Sequence, residues 1–275
     1  MVDLQIHTQA TPHHAFWEPT ALVQAAVQAG IAVLAATDHN TVASVRALMH
    51  AGQLADIEVI PGVEIDSGFA GKLWHILVYG VAPENSELLE LCASVYQRNL
   101  RDAAALRLQL AAQGFALPQL DALGRPANVA DVGAALARGN QLAGRVANET
   151  DESAGMRVIL TMPNAYQPVQ ADEIVRLAHR QGGLVVLAHP GRSNGVYAVP
   201  ADERDIAALV EAGIDGLEVY YETHTPEQQA FYAVQARRLR LLVTGGSDSH
   251  GPTQRLARWP IDLVADFLDA VRSRM

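Results

Sequence analysis

Val33-Leu34-Ala35-Ala36-Thr37-Asp38-His39 joins four apolar residues to a polar triplet, and it follows an amphipathic stretch, residues 19–29, that ends at Gly30. A bounded four-residue apolar run reads as a buried strand, because helices need more length. A glycine after an amphipathic stretch marks a helix end. The same unit recurs along the chain. Apolar, β-rich runs at 2–6, 59–63, 76–79, 184–188, 216–220 and 241–244 read as further strands, and amphipathic segments at 42–51, 171–181, 202–212 and 226–239 as helices between them. This alternation predicts an α/β fold with a mainly parallel sheet covered by helices.

One region breaks the alternation. From 86 to 113 the pattern is a single long helix carrying Leu88, Leu91, Val95, Leu100, Leu106 and Leu110, with no strand partner. A polar, glycine-bearing stretch follows to about 167, with a helical patch near 128–138 and 158–161 as its one strand candidate. Structureless loops of that length are uncommon in compact domains, so residues 86–167 are expected to form a helical insertion beside one domain spanning 1–275. Residues 260–274 are expected to close the fold as a helix.

Composition narrows the function. The 275 residues, 49% of them hydrophobic, suffice for a sizeable core. A formal net charge of −10 offers phosphate backbones no general attraction, which argues against bulk nucleic-acid binding but leaves a short oligonucleotide open. The single cysteine, Cys92, excludes an internal disulfide framework and reads as an apolar helix position. No leader pattern and no apolar run long enough for a membrane span appears, so the expected compartment is the cytosol.

The polar residues of interest fall at strand ends. His7 follows the first run, Asp38 and His39 the second, Glu64 the third; His75 opens the fourth, His189 closes the fifth, Glu218 lies in the sixth, and Asp248 and His250 follow the seventh. In parallel α/β folds the carboxyl ends of the strands converge on one face, where ligands collect. His75 is the awkward member, because it precedes its run and would need an antiparallel strand or an early strand end to reach that face. Imidazole and carboxylate are ligands for zinc, manganese or iron, and a carboxylate can bridge two ions. Closely spaced ions lower the pKa of bound water to make a hydroxide nucleophile and clamp the oxygens of an in-line phosphoryl displacement, so a polynuclear hydrolase is expected. Arg192, in His189-Pro190-Gly191-Arg192, is the candidate phosphate clamp, with a surface ion pair as the alternative. Arg98 and Arg101 lie three residues apart on the long helix and either reach over the site or solvate a helix face.

In this order, D-L-Q-I-H, A-T-D-H-N, I-P-G-V-E-I, H-I-L-V-Y-G, L-A-H-P-G-R, L-E-V-Y-Y-E-T-H-T-P-E-Q and G-G-S-D-S-H-G resemble the motifs of the PHP (polymerase and histidinol phosphatase) family, most closely its stand-alone phosphoesterases. The resemblance implies a distorted (β/α)7 barrel and a metal-dependent phosphoesterase acting on a small phosphorylated metabolite, nucleotide or short oligonucleotide. It implies two or three divalent ions: a first held by Gln5, His7, Glu64 and Asp248, a second by Glu64, His75 and His189, and a third by His39, His250 and a residue of the loop after the first strand. Asp38 would orient a ligand. His250 and Asp248 are candidate proton shuttles. Gln5 stands where the family carries a histidine and is a weaker, neutral donor; His13 or His14, in a loop that also departs from the pattern, is the candidate replacement. His224 is either a substrate contact or a helix-start residue, and Glu218 is expected to satisfy buried polar groups.

Two other readings remain at this point. One is an amidohydrolase-like metal-dependent hydrolysis of a non-phosphate substrate, against which Lys72, the only lysine, lies off every strand end. The other is a degenerate barrel that binds without catalysis, suggested by Gln5.

Overall fold

A computed structural model describes residues 1–11, 15–145, 147, 149–193 and 200–275. His13 and His14 lie outside the described residues.

The strands are β1 (Val2–Ile6), β2 (Val33–Ala36), β3 (Glu58–Val59), β4 (Gly62–Phe69), β5 (Lys72–Tyr79), β6 (Val169–Gln170), β7 (Leu184–Leu187), β8 (Gly216–Tyr221) and β9 (Leu242–Gly246). One sheet has the order β1-β2-β3 and the other β6-β4-β5-β7-β8-β9. Backbone bonds link them at both junctions. His7 N donates to Ser249 O at 2.9 Å and Asp248 N to Gln5 O at 2.9 Å, joining β1 to the end of β9. Asn40 N donates to Glu64 O at 2.8 Å and Glu64 N to Asp38 O at 3.2 Å, joining the end of β2 to β4. The ring therefore runs β1, β2, β4, β5, β7, β8, β9 and back to β1, as the distorted seven-stranded barrel requires. The expected strand at 59–63 is divided, because Pro61 lacks an N–H for the ladder.

β4 and β5 form a hairpin whose two turn residues, Ala70 (φ 51°) and Gly71 (φ 76°), both take positive φ, as a tight primed turn demands. This reversal makes β5 antiparallel to both β4 and β7. It carries His75 to the end of the ring where the parallel strands terminate, resolving the awkward position of that residue.

Helices follow the expected pattern closely: α1 (Pro19–Ala29), α2 (Val45–Leu54), α3 (Ser86–Ala112), α4 (Val129–Gly139), α5 (Asp151–Ile159), α6 (Ala171–Arg180), α7 (Glu203–Ala212), α8 (Pro226–Leu239) and α9 (Ala265–Arg272). Their ends are specified locally. Asn128 with Asp131, Asp202 with Asp205 and Thr225 with Gln228 form capping boxes, and Gly30 (φ 69°) and Gly213 (φ 104°) terminate α1 and α7 in the left-handed region. The strand candidate at 158–161 is corrected: Val158 and Ile159 end α5, and Ile159 is buried among helices.

The cores explain the layout. Val264, Phe267, Leu268 and Val271 pack with Val2, Leu4, Val33, Leu77, Tyr79, Leu184 and Val186. Arg274 Nη1 donates to Gly183 O at 2.7 Å, so α9 and its approach close the ring at the strand starts, opposite the histidines. α3 serves two cores: Leu88, Leu91, Cys92 and Val95 join the barrel layer, while Ala103, Leu106 and Leu110 join α4 and α5. α4 and α5 approach so closely that a β-carbon on Gly155 would stand 1.8 Å from Gly133 O. The region expected as a helical insertion is thus a small helical core tied to the barrel by α3. No helix among the described residues is long and apolar enough to cross a membrane.

Candidate metal centre

Glu64 is the hub. It is fully buried in β4, and each carboxylate oxygen faces a different set of donors. Oε1 lies 2.6 Å from His75 Nδ1 and 3.1 Å from His189 Nε2; Oε2 lies 2.9 Å from His7 Nε2 and accepts from Gln5 Nε2 at 2.9 Å. His7 Nε2 also lies 3.0 Å from Asp248 Oδ1. His7 stacks on two neighbours, its ring centroid 4.5 Å from that of His39 and 4.2 Å from that of His250. Three groups each bring their ligand atoms within 4.8 Å of one another: His7, His39 and His250; His39, Glu64 and His75; and His7, Glu64 and Asp248. Bare proximity of imidazoles and carboxylates at the end of a barrel is the donor chemistry of a polynuclear divalent-metal site, and the residues fit such a group.

Charge follows geometry. Burial alone would lower the pKa of His7, but hydrogen bonds to Asp248 and Glu64, with their charges, overcome it and raise it to about 10. His75 likewise loses to burial and gains more from Glu64 and Asp66, reaching about 9. Burial acts to raise Glu64, yet the surrounding imidazoles hold it well below the ordinary carboxylate range. Burial opposes ionisation of Asp248 too, and His7 outweighs it. His250 is pushed down to about 4 by burial and by the charge of His7, so its imidazole is neutral at pH 7. Its Nδ1 donates to Asp248 O at 2.7 Å, so an ion held by His250 would be met by Nε2.

Several supporting residues escaped the sequence reading. Asp66 Oδ1 lies 3.3 Å from both His39 Nδ1 and His75 Nε2, and Asn40 Nδ2 donates to its Oδ2 at 2.9 Å. Asp66 is two residues from Glu64 on one strand and pairs in register with His75, so strand alternation was the available signal. Tyr221 OH donates to Asp248 Oδ2 at 3.1 Å. Asp38 does not touch the metal-ligating atoms. It accepts from Thr8 Oγ1 at 2.8 Å and Thr11 Oγ1 at 2.7 Å, and Thr11 Oγ1 in turn accepts from His39 N at 3.0 Å. Asp38 thereby orients the loop beneath His7 and His39.

The remaining expected residues divide. Arg192 stands at the centre, Nη1 3.4 Å from Asp248 Oδ2. Gln5 is fully buried beside Glu64 but offers its amide nitrogen there; its Oε1 has no hydrogen-bond partner among the described residues. His224 is 5% exposed, and both ring nitrogens are engaged by backbone: Nε2 accepts from Gly191 N at 2.9 Å and Nδ1 donates to Val219 O at 2.9 Å. It braces the turn that carries His189. Glu218, buried in β8, accepts from His189 N at 2.8 Å, the polar-satisfaction role expected of it. Arg98 pairs with Glu173 of α6 at 3.5 Å, and Arg101 is exposed on α3. Neither is brought into contact with the histidine cluster.

A closed ring of mainly parallel strands with histidines and carboxylates gathered at one end defines an α/β barrel whose donor set fits divalent metal ions. The chain belongs to the PHP family: the PHP domain matches residues 3–152. It is 30% identical over 272 residues to phosphoribosyl 1,2-cyclic phosphate 1,2-diphosphodiesterase of Eggerthella lenta, covering 92% of this chain and 95% of that protein. It is 28% identical over 258 residues to the 5′-3′ exoribonuclease Rnm of Escherichia coli, covering 90% of this chain and 85% of that one. The crystal structure of a candidate metal-dependent phosphoesterase from Bifidobacterium adolescentis shares the fold, with a TM-score of 0.72 at 24% identity, over 98% of this chain and 96% of the other.

Proposed function

We propose that this protein is a phosphoric ester hydrolase that works with two or three divalent ions, manganese, zinc or iron, on a small phosphorylated metabolite, nucleotide or short oligonucleotide. The observation that carries the reading is the Glu64 carboxylate, whose two oxygens face separate imidazole sets as a bridging ligand must. The relatives support it, one being named a cyclic phosphate diphosphodiesterase and the other a 5′-3′ exoribonuclease.

His7, Glu64 and Asp248 would hold one ion; Glu64, His75 and His189 a second; His39 and His250 a third. Bound there, divalent ions supply a low-pKa water nucleophile and offset the charge that builds on phosphorus oxygens. The protein's own residues do the rest. Arg192 presents its guanidinium to a phosphate oxygen and holds the ester in line. Asp66 fixes the rings of His39 and His75, and Tyr221 fixes Asp248. His250 or Asp248, whichever is not engaged with an ion, would carry the proton to the leaving oxygen. Gln5 faces Glu64 through nitrogen, so the first ion is held less firmly than the other two.

A screen with added manganese tests the reading: aryl phosphates are turned over, amides and lactones are not. Turnover of amides or lactones in place of phosphates would transfer the site to amidohydrolase chemistry.

A further inference from the structure

Phe16 is 70% exposed, and it is the one exposed aromatic side chain among the described residues. Its flanking residues are buried, Ala15 at 6% and Trp17 at 5%. Its backbone is laced to the loop that carries the last candidate ligand. Phe16 N donates to His250 O at 2.7 Å, and Trp17 Nε1 donates to Ser249 Oγ at 2.9 Å. The ring rests on Gly251, where a β-carbon would stand 3.3 Å from Phe16 Cβ and 3.4 Å from Cδ2. The phenyl group is therefore held against Gly251, the residue after His250, by a backbone bonded to the His250 carbonyl, with most of its surface open to solvent.

Scattered exposed apolar residues are ordinary. Phe16 differs in place and in mounting: it stands beside the metal-ligating cluster, and its anchored backbone means that little freedom is lost when something covers the ring. A flat, adaptable π-face beside a phosphate-hydrolysing centre matches a flat π-face on the substrate, and any nucleobase provides one. The charge pattern agrees. With a net charge of −10 the chain has no general grip on a phosphate backbone, so a nucleotide held at only two points, phosphate and base, suits it better than a long strand.

We propose that Phe16 is a specificity-determining residue that stacks against a nucleobase on the phosphate ester, so that base-bearing esters are preferred to sugar phosphates without a base. The proposal rests on the phosphoesterase reading above.

The test compares a nucleoside 3′,5′-bisphosphate with the corresponding ribose bisphosphate lacking its base, using the manganese-loaded wild type, Phe16→Leu and Phe16→Trp. The expected result is a loss of about 5- to 100-fold in kcat/KM for the nucleotide in Phe16→Leu, retention in Phe16→Trp, and a change within about 2-fold for the ester without a base. Calorimetric binding of a nucleoside monophosphate to the metal-free protein should weaken by the same factor in Phe16→Leu. An equal loss on both esters would make Phe16 a mere support of the 249–251 loop and overturn the proposal, as would no loss on either. Wild type that hydrolyses aryl phosphates but shows no preference for the base overturns this proposal alone; no hydrolysis of any phosphate ester overturns the parent reading with it.

Discussion

Replacing Glu64 by glutamine keeps the shape of the side chain and removes the charge on which the centre is built. Four donors face its oxygens: Gln5 Nε2 and His7 Nε2, each at 2.9 Å, His75 Nδ1 at 2.6 Å and His189 Nε2 at 3.1 Å. The new amide nitrogen must point at one of these pairs, donor against donor, while His7 and His75 lose the anion that helps raise their pKa values to about 10 and about 9. Breaking a fully buried charge cluster by removing one member costs about 3–5 kcal/mol. At about 2–4 °C per kcal/mol for a chain of this size, the metal-free variant should melt roughly 6–20 °C below wild type at neutral pH. The same change removes the bridging ligand, so metal content should fall to one ion per chain or fewer and phosphoesterase turnover should be lost. Thermal melts with and without chelator, read beside elemental analysis, separate the two effects. A Glu64→Gln protein that kept wild-type metal content and activity would refute the assignment of Glu64 as the bridge.

Three further outcomes are expected. Arg192→Ala should raise KM for a phosphate monoester about 10- to 100-fold, the worth of a charge-assisted contact, with partial recovery in Arg192→Lys; unchanged kinetics would return Arg192 to a plain ion pair with Asp248. Because His7 and His75 carry raised pKa values in the metal-free protein, they stay protonated up to about pH 9 and must shed protons to ligate, so metal affinity should climb as pH rises toward 9 and level off above 10. Calorimetry at pH 8 in buffers of different ionisation enthalpy should register release of about two protons per chain, and release of none would contradict the protonation scheme. Gly155→Ala forces a β-carbon to 1.8 Å from Gly133 O, so α4 and α5 must separate; the expected cost is about 1–3 kcal/mol or more in thermal unfolding, with faster proteolysis in residues 140–150.

The barrel was legible because its units are local. α1 and α8 lie at the residues that Pro19, Gly30, Thr225 and Pro226 mark, and β1 and β2 match their apolar runs residue for residue. Less local features were partly hidden. The antiparallel course of β5 is dictated by a two-residue turn at Ala70 and Gly71, of which only the glycine announces itself, so His75 looked misplaced until the hairpin was seen. Val158 and Ile159 look like a strand because both are β-branched, but tertiary burial against α4 and α3 holds them in a helix. At the centre, residues with a motif were readable, Asp66 was signalled only by its i+2 spacing from Glu64 on β4, and Tyr221 acts on Asp248 across strands, which no spacing along the chain reveals. For His224 the sequence left substrate contact and helix-start residue open, because a polar residue before a helix can also spend both its nitrogens on backbone, as it does here.

The central claim is that these side chains hold catalytic ions, and counting them tests it most directly. Elemental analysis of wild-type protein purified without chelator, paired with an aryl phosphate assay on the same sample, should find two or three transition-metal ions per chain and turnover that disappears when they are stripped. Fewer than one ion per chain, with phosphate esters left intact after manganese is supplied, would contradict it.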